Sequence, residues 1–161
     1  MKKAIILMFL VVSCLLYSSY SEAVSTKQNQ IEQEASNAVD EVFLYFHNLG
    51  TKKLIDEERQ KLLFTPDFQM ITNDVIITKD RSELTPHFEE IMAQAPRIDL
   101  ILQDKIVAND TCVMKYTLIK QGKNECKVIA IFKFKRDADG ILKTYLMDEV
   151  VVRQPLAKVT T

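Results

Sequence analysis

Apolar positions between residues 97 and 151 fall into four runs, 97–107, 111–120, 126–135 and 141–151, dense in Val, Ile, Phe, Tyr and Thr. Runs of that composition predict β-strands. Asn109-Asp110, Gln121-Gly122-Lys123-Asn124 and Asp137-Ala138-Asp139-Gly140 separate them, the turn chemistry of antiparallel hairpins. Upstream the period changes. Ile31, Ala35, Ala38, Val39, Val42, Phe43 and Phe46 share one helical face, predicting a helix over 31–48 that Gly50 ends. A shorter helix is expected over 53–63, before Thr65-Pro66-Asp67 breaks the chain. A small hairpin, 68–72 with 75–78, turns at Asn73-Asp74. A third helix runs from Ser82 or Thr85 to residue 95, with Thr85-Pro86 as cap and first position and Pro96 closing it. Helices segregated from strands predict an α+β fold, three helices on one face of a curved, mainly antiparallel sheet.

Pairing the strands through their turns gives a lattice. Ala108 meets Thr111, Ile106 meets Val113, Asp104 meets Lys115 and Leu102 meets Thr117. Continued, Val113 meets Phe132 and Tyr145, Lys115 meets Ala130 and Met147, and Thr117 meets Val128 and Glu149. Ile98, Leu100, Leu102, Asp104 and Ile106 then share the face under the helices. Asp104, Lys115, Thr117, Tyr145 and Glu149 are the polar residues in or beside it, and a few polar groups in an apolar hollow are what a ligand pocket needs. His87, in the third helix, is the candidate acid–base partner of Glu149 or Asp74. The competing reading is an Asp104–Lys115 ion pair at a wet margin of the sheet. A single bulge would move some of these residues to the other face.

That other face is apolar at its centre. Met114, Tyr116, Leu118, Ile129, Ile131 and Leu146 are ringed by Lys120, Glu125, Lys127 and Lys133. An apolar patch with a charged rim predicts a partner surface, and a homodimer is expected through it.

Charge and cysteine content narrow the class. The 161 residues carry 21 Lys+Arg against 22 Asp+Glu, with no basic run, so nothing directs the chain to nucleic acid. Met1-Lys2-Lys3, an apolar stretch over 4–17 and Ser21-Glu22-Ala23 read as a secretory signal peptide, residues 1–23, cleaved after Ala23. Val11-Val12-Ser13-Cys14 allows the alternative of a lipoprotein anchored in a membrane through Cys14. The chain is therefore expected to be exported, periplasmic or secreted, with one domain over 24–152 and a flexible tail over 153–161. Cys112 and Cys126 lie on neighbouring strands but about seven residues out of step, roughly 23 Å along the strand, too far for a disulfide. Two free thiols are expected. His47 and His87 share no metal-ligand spacing, and there is no phosphate loop and no Gly-x-Ser-x-Gly turn, so neither metal nor cofactor is expected.

Three segments carry a family resemblance: Leu63-Phe64-Thr65-Pro66-Asp67-Phe68, Asp80-Arg81-Ser82-Glu83-Leu84, and Phe132-Lys133-Phe134 before the Gly140 turn. With the element order, they make residues 31–151 resemble the nuclear transport factor two-like fold shared by SnoaL-like polyketide cyclases and ketosteroid isomerase. The resemblance implies a cone-shaped, cystatin-like roll enclosing a pocket, with a dimer on the outer sheet face. It does not carry the isomerase's residues across. Its oxyanion-stabilising aspartate would fall near Ala130, its base near Ile71 or Thr72, and its tyrosine near Phe43 or Phe46. Fold alone does not confer activity. The function expected is a small apolar-ligand-binding or accessory domain. The alternatives are a lyase or isomerase using Asp104, Glu149 or His87, and a structural protein working through its dimer face.

Overall fold

The computed structural model describes residues 2–94, 97–120 and 125–153; for 2–24, 125 and 153 it describes the backbone path alone. Helix α1 spans Lys2–Lys52 and α2 spans Glu57–Leu63. Strands β1 (Phe64–Thr72) and β2 (Val75–Thr78) follow. A 3-10 turn, Arg81–Glu83, leads into α3 (Leu84–Gln94). Strands β3 (Ile98–Ala108), β4 (Thr111–Lys120), β5 (Glu125–Arg136) and β6 (Leu142–Arg153) complete a six-stranded sheet in the order β2-β1-β6-β5-β4-β3. All neighbours are antiparallel except β1 and β6. The expected α+β order of helix, helix, hairpin, helix and four strands is the one found.

The boundaries differ for local reasons. Residues 2–23 of the signal segment, Cys14 included, lie on the backbone-only turns of α1, and residue 1, residues 95–96 with the expected helix stop at Pro96, the 121–124 turn and residues 154–161 lie outside the described residues. At its far end α1 does not stop at Gly50. It continues to Lys52, and Lys53 takes the left-handed conformation, φ 54°, with its N–H bonded to the Leu49 carbonyl. Gly50 serves a different need, because a Cβ there would stand 2.3 Å from the Ile98 carbonyl oxygen. Helix and β3 can approach only over a bare backbone. Asp56 caps α2 by accepting from the Arg59 N–H at 2.8 Å, which delays that helix to Glu57. Pro66 does not break the chain; it sits in β1 where pairing with β6 slips between Phe64 and Gln69.

The core lies between helices and sheet. Ala35, Val39, Val42 and Leu49 of α1 and Leu84 and Phe88 of α3 pack on Phe64, Phe68, Met114, Val128, Phe132, Phe134 and Met147. Each of these side chains larger than Ala35 contributes roughly 1.5–3 kcal/mol by leaving water. Asn73 and Asp74 turn β1 into β2 with φ 49° and 64°, and Asn73 Oδ1 accepts from the Val151 N–H at 2.9 Å. That bond ties the hairpin tip to β6 beside Glu149.

Two irregularities decide which residues face the helices. Gln103 bulges from β3, so that Leu102 pairs with Tyr116 and Asp104 with Lys115. Beyond the bulge Asp104 and Ile106 turn outward. Between β4 and β5, Ile119 pairs with Glu125 and Met114 with Ala130, one residue away from the expected pairing. A one-residue slip exchanges the faces of a strand. Cys112, Met114 and Tyr116 are consequently buried and Val113 and Lys115 exposed. Cys112 pairs with Phe132 and Leu118 with Cys126, so the two cysteines stay apart, buried and free.

Candidate functional site

The sheet's inner face and the helices enclose an apolar hollow. Phe43, Phe46, Leu49 and Gly50 of α1 and Phe88, Ile91 and Met92 of α3 roof it. Ile98, Leu100, Tyr116, Leu118, Phe132, Met70 and Met147 form its floor, with Glu149 among them. Its volume is about 130 Å³, and it is partly open to solvent. Larger hollows occur elsewhere, such as the 380 Å³ groove lined by Glu57, Lys61, Asp80 and Arg81, but that one is a polar surface cleft. The apolar cavity holds the buried acid.

Glu149 is 8% exposed. Its Oε2 accepts from the Tyr116 hydroxyl and its Oε1 from the Thr72 hydroxyl, each at 2.9 Å. Thr72 and Glu149 are register partners between β1 and β6, and Ala130 is the partner of Glu149 on β5. Burial raises the carboxyl's pKa; the two hydroxyl bonds oppose that and the Asp148 charge adds to it, leaving it above the ordinary glutamate value. Burial also lifts the Tyr116 phenol well above its usual value, followed by the charge of its own partner, Glu149. The acid is held in a fixed orientation between two neutral donors, at the wall of an apolar space. It can accept or release a proton there, or face a cation.

Of the expected pocket residues, only Glu149 lines this cavity. Asp104 and Lys115 are opposite each other as expected but stand exposed on the outer face, because the Gln103 bulge and the β4–β5 slip reverse their side. Thr117 lies in that same outward row, buried beneath Gln103, whose Nε2 donates to its Oγ1 at 2.8 Å. Tyr145 is skipped by the ladder, since Leu146 pairs with Lys133 and Thr144 with Phe134; it lies under Lys135 Nζ, 5.2 Å from its ring centre. His87 is half-buried against Phe88 and does not line the cavity; burial lowers its pKa, with Glu90 opposing.

The expected dimer face is altered too. Met114 and Tyr116 are core residues, with 0% and 4% exposure, and cannot meet a partner. Ile129, Ile131 and Leu146 do lie on the outer face, joined there by Ile106, Val113, Val150 and Val152. The patch persists with different members.

Tyr116 and Thr72 were absent from the expected site. For Tyr116 the signal is in β4, where Cys112, Met114, Tyr116 and Leu118 alternate with Thr111, Val113, Lys115 and Thr117; Thr72, at the end of β1, has no such signal. The first set is the more apolar and marks the buried side. Among the described residues no group of His, Cys, Asp and Glu is arranged to hold a metal ion.

No protein-family model matches the chain, and no curated protein matches it. Solved structures do. The chain is similar to nuclear transport factor 2 from Cryptosporidium parvum, at 8% identity and a TM-score of 0.53, over 80% of this chain and 95% of that one. It is similar to LinA at 14% identity and a TM-score of 0.59, over 83% and 97%. It is also similar to a protein from Jannaschia described as a SnoaL-like polyketide cyclase, at 16% identity and a TM-score of 0.54, over 75% and 87%. The chain has the fold of these proteins, the nuclear transport factor 2-like, cystatin-like roll.

Proposed function

We propose that the protein binds a small, largely apolar ligand in the cavity between helices and sheet, with Glu149 as its polar anchor. The observation that carries this reading is the buried carboxylate itself. A core that served only stability would gain from an apolar side chain at 149, because a buried ionisable group costs several kcal/mol unless paired. A polar group kept at the wall of an apolar hollow is the pattern of a binding site. The hollow's size favours a ligand of one ring; a cavity near 150 Å³ is known to take benzene. Thermal unfolding against a panel of one-ring compounds tests this, since a ligand that binds only the folded state raises Tm. A raised Tm that disappears when Leu100→Trp fills the cavity is expected. No response to any compound would argue against it.

A second reading has its own observation. Glu149 has a raised pKa and stands opposite Ala130, the position near which the isomerase resemblance called for an acid. The acid absent from β5 is present one strand over. A lyase or isomerase using Glu149 for proton transfer follows, in line with the cyclase and isomerase descriptions of proteins with this fold. It requires a turnover that Glu149→Gln abolishes.

Two further proposals concern setting. Residues 1–23 act as an export signal, placing the domain in the periplasm or outside the cell, unless Cys14 is lipidated. The outer face, with Ile129, Ile131 and Leu146, pairs with a second copy.

A further inference from the structure

We propose that the ligand is a small organic cation, a ring-sized hydrocarbon body bearing a protonated amine, and that Glu149 is its counter-charge. The inference rests on the cavity being a ligand site and names the chemistry of what fills it.

Three observations converge. First, both carboxylate oxygens of Glu149 already accept hydroxyl protons, from Tyr116 and from Thr72. Donors on both oxygens suit the ionised carboxylate; a protonated acid would carry its own hydrogen on one of them. Second, that anion has no counter-ion among the described residues. Among the described residues no Lys, Arg or His nitrogen lies within 4.0 Å of it. Two neutral hydrogen bonds offset part of the cost of burying a charge, and a counter-ion is what normally offsets the rest. Third, the cavity wall is aromatic. Phe43, Phe46, Phe88, Phe132 and Tyr116 line it, with Phe43 and Tyr116 packed edge to face at 5.7 Å. Ring faces carry negative potential and attract ammonium groups, more so where water is excluded. The same features disfavour the alternatives. An anionic ligand would meet like charge. A neutral carbonyl would need a donor at Glu149, whose oxygens are both occupied as acceptors.

Calorimetric titration of the protein, unfolded and refolded to release any resident ligand, with benzylamine, benzyl alcohol and benzoate, tests the proposal. All three share one ring and differ in charge. Benzylamine is expected to bind at least tenfold more tightly than benzyl alcohol, with benzoate not binding. Glu149→Gln, which keeps side-chain size, is expected to abolish the preference for the amine, with circular dichroism confirming that the variant is folded. Benzyl alcohol binding as tightly as benzylamine, or a preference unchanged in Glu149→Gln, would overturn the cationic ligand while leaving the cavity a binding site. Absence of binding by all three probes would overturn both readings.

Discussion

Tyr116 and Glu149 are joined by a 2.9 Å hydrogen bond that runs from β4 to β6 across the whole width of β5. Strands two apart lie roughly 9.6 Å from one another, so both side chains must be long and what lies between must be small. Ala130, beside Glu149 on β5, meets that requirement. The bond therefore depends on three strands at once, and the acid's orientation is a property of the sheet rather than of one loop.

Removing that donor should be felt. Tyr116→Phe leaves the ring in place and deprives Glu149 Oε2 of its partner. A cost of about 1–3 kcal/mol in urea unfolding is expected, the penalty of a buried acceptor left unmet. Because the Tyr116 bond lowers the carboxyl's pKa, its loss should raise that pKa further, readable by carbon-detected NMR titration. An unchanged titration would mean that the hydroxyl does not hold the carboxylate in solution.

Stability should carry a signature of Glu149 in its pH dependence. The folded carboxyl has a raised pKa, so between the ordinary value of 4.5 and that raised value the folded state holds a proton the unfolded state has lost. Stability from this group is fully present below 4.5 and is lost as pH rises through the folded pKa. Asp67, Asp99 and Asp137, held by Lys135, Arg97 and Lys143, have lowered pKa values and act in the opposite sense, losing stability as pH falls. Subtracting the Tm–pH curve of Glu149→Gln from that of the natural chain isolates the glutamate. The difference should move against the natural chain as pH rises, leaving Glu149→Gln at least as stable at neutral pH. A difference that grows in favour of the natural chain would contradict the assigned sign.

Gly50 offers a test of packing. On helix propensity alone, Gly50→Ala inside α1 should stabilise by roughly 1 kcal/mol. The added Cβ would stand 2.3 Å from the Ile98 carbonyl, however, and neither backbone can yield cheaply. Net destabilisation of about 1–3 kcal/mol is expected, from overpacking. A raised urea midpoint would show that helix and strand do not approach so closely.

The outer face leads to a test of association. Ile129 is 51% exposed, so Ile129→Glu should leave the fold intact. If copies pair through this face, the natural chain sediments as a dimer and the variant as a monomer. Identical sedimentation of both would set the face aside as an interface.

The element order was legible in the sequence because periodicity and turn residues are local signals. The amphipathic run from Ile31 to Phe46, the Asn73-Asp74 and Asn109-Asp110 turns and the four strands all carry them. What failed was register, which depends on features without a strong local code. The bulge at Gln103 has no glycine to mark it, and Tyr145 slips out of the β5–β6 ladder without any turn residue nearby. The β4–β5 connection is longer by one residue than its turn residues suggested. With the Gln103 bulge, that step exchanges Tyr116 with Lys115 and Met114 with Val113, so the sequence reading puts the hydroxyl of the site on the expected dimer face. Glu149 stays on the expected side because the β5–β6 register differs from the expected one by two residues, one at the turn and one at Tyr145, and an even shift keeps the faces. Gly50 looks like a helix stop in sequence because its contact with Ile98, 48 residues on, leaves no local trace.

The central claim is that the cavity beside Glu149 is occupied in the working protein. Native mass spectrometry of the chain purified from its own host, beside the Leu100→Trp variant prepared identically, tests it most directly. The natural chain should carry a small additional mass, released on denaturation and missing from the filled variant. Bare polypeptide in both spectra would contradict the account.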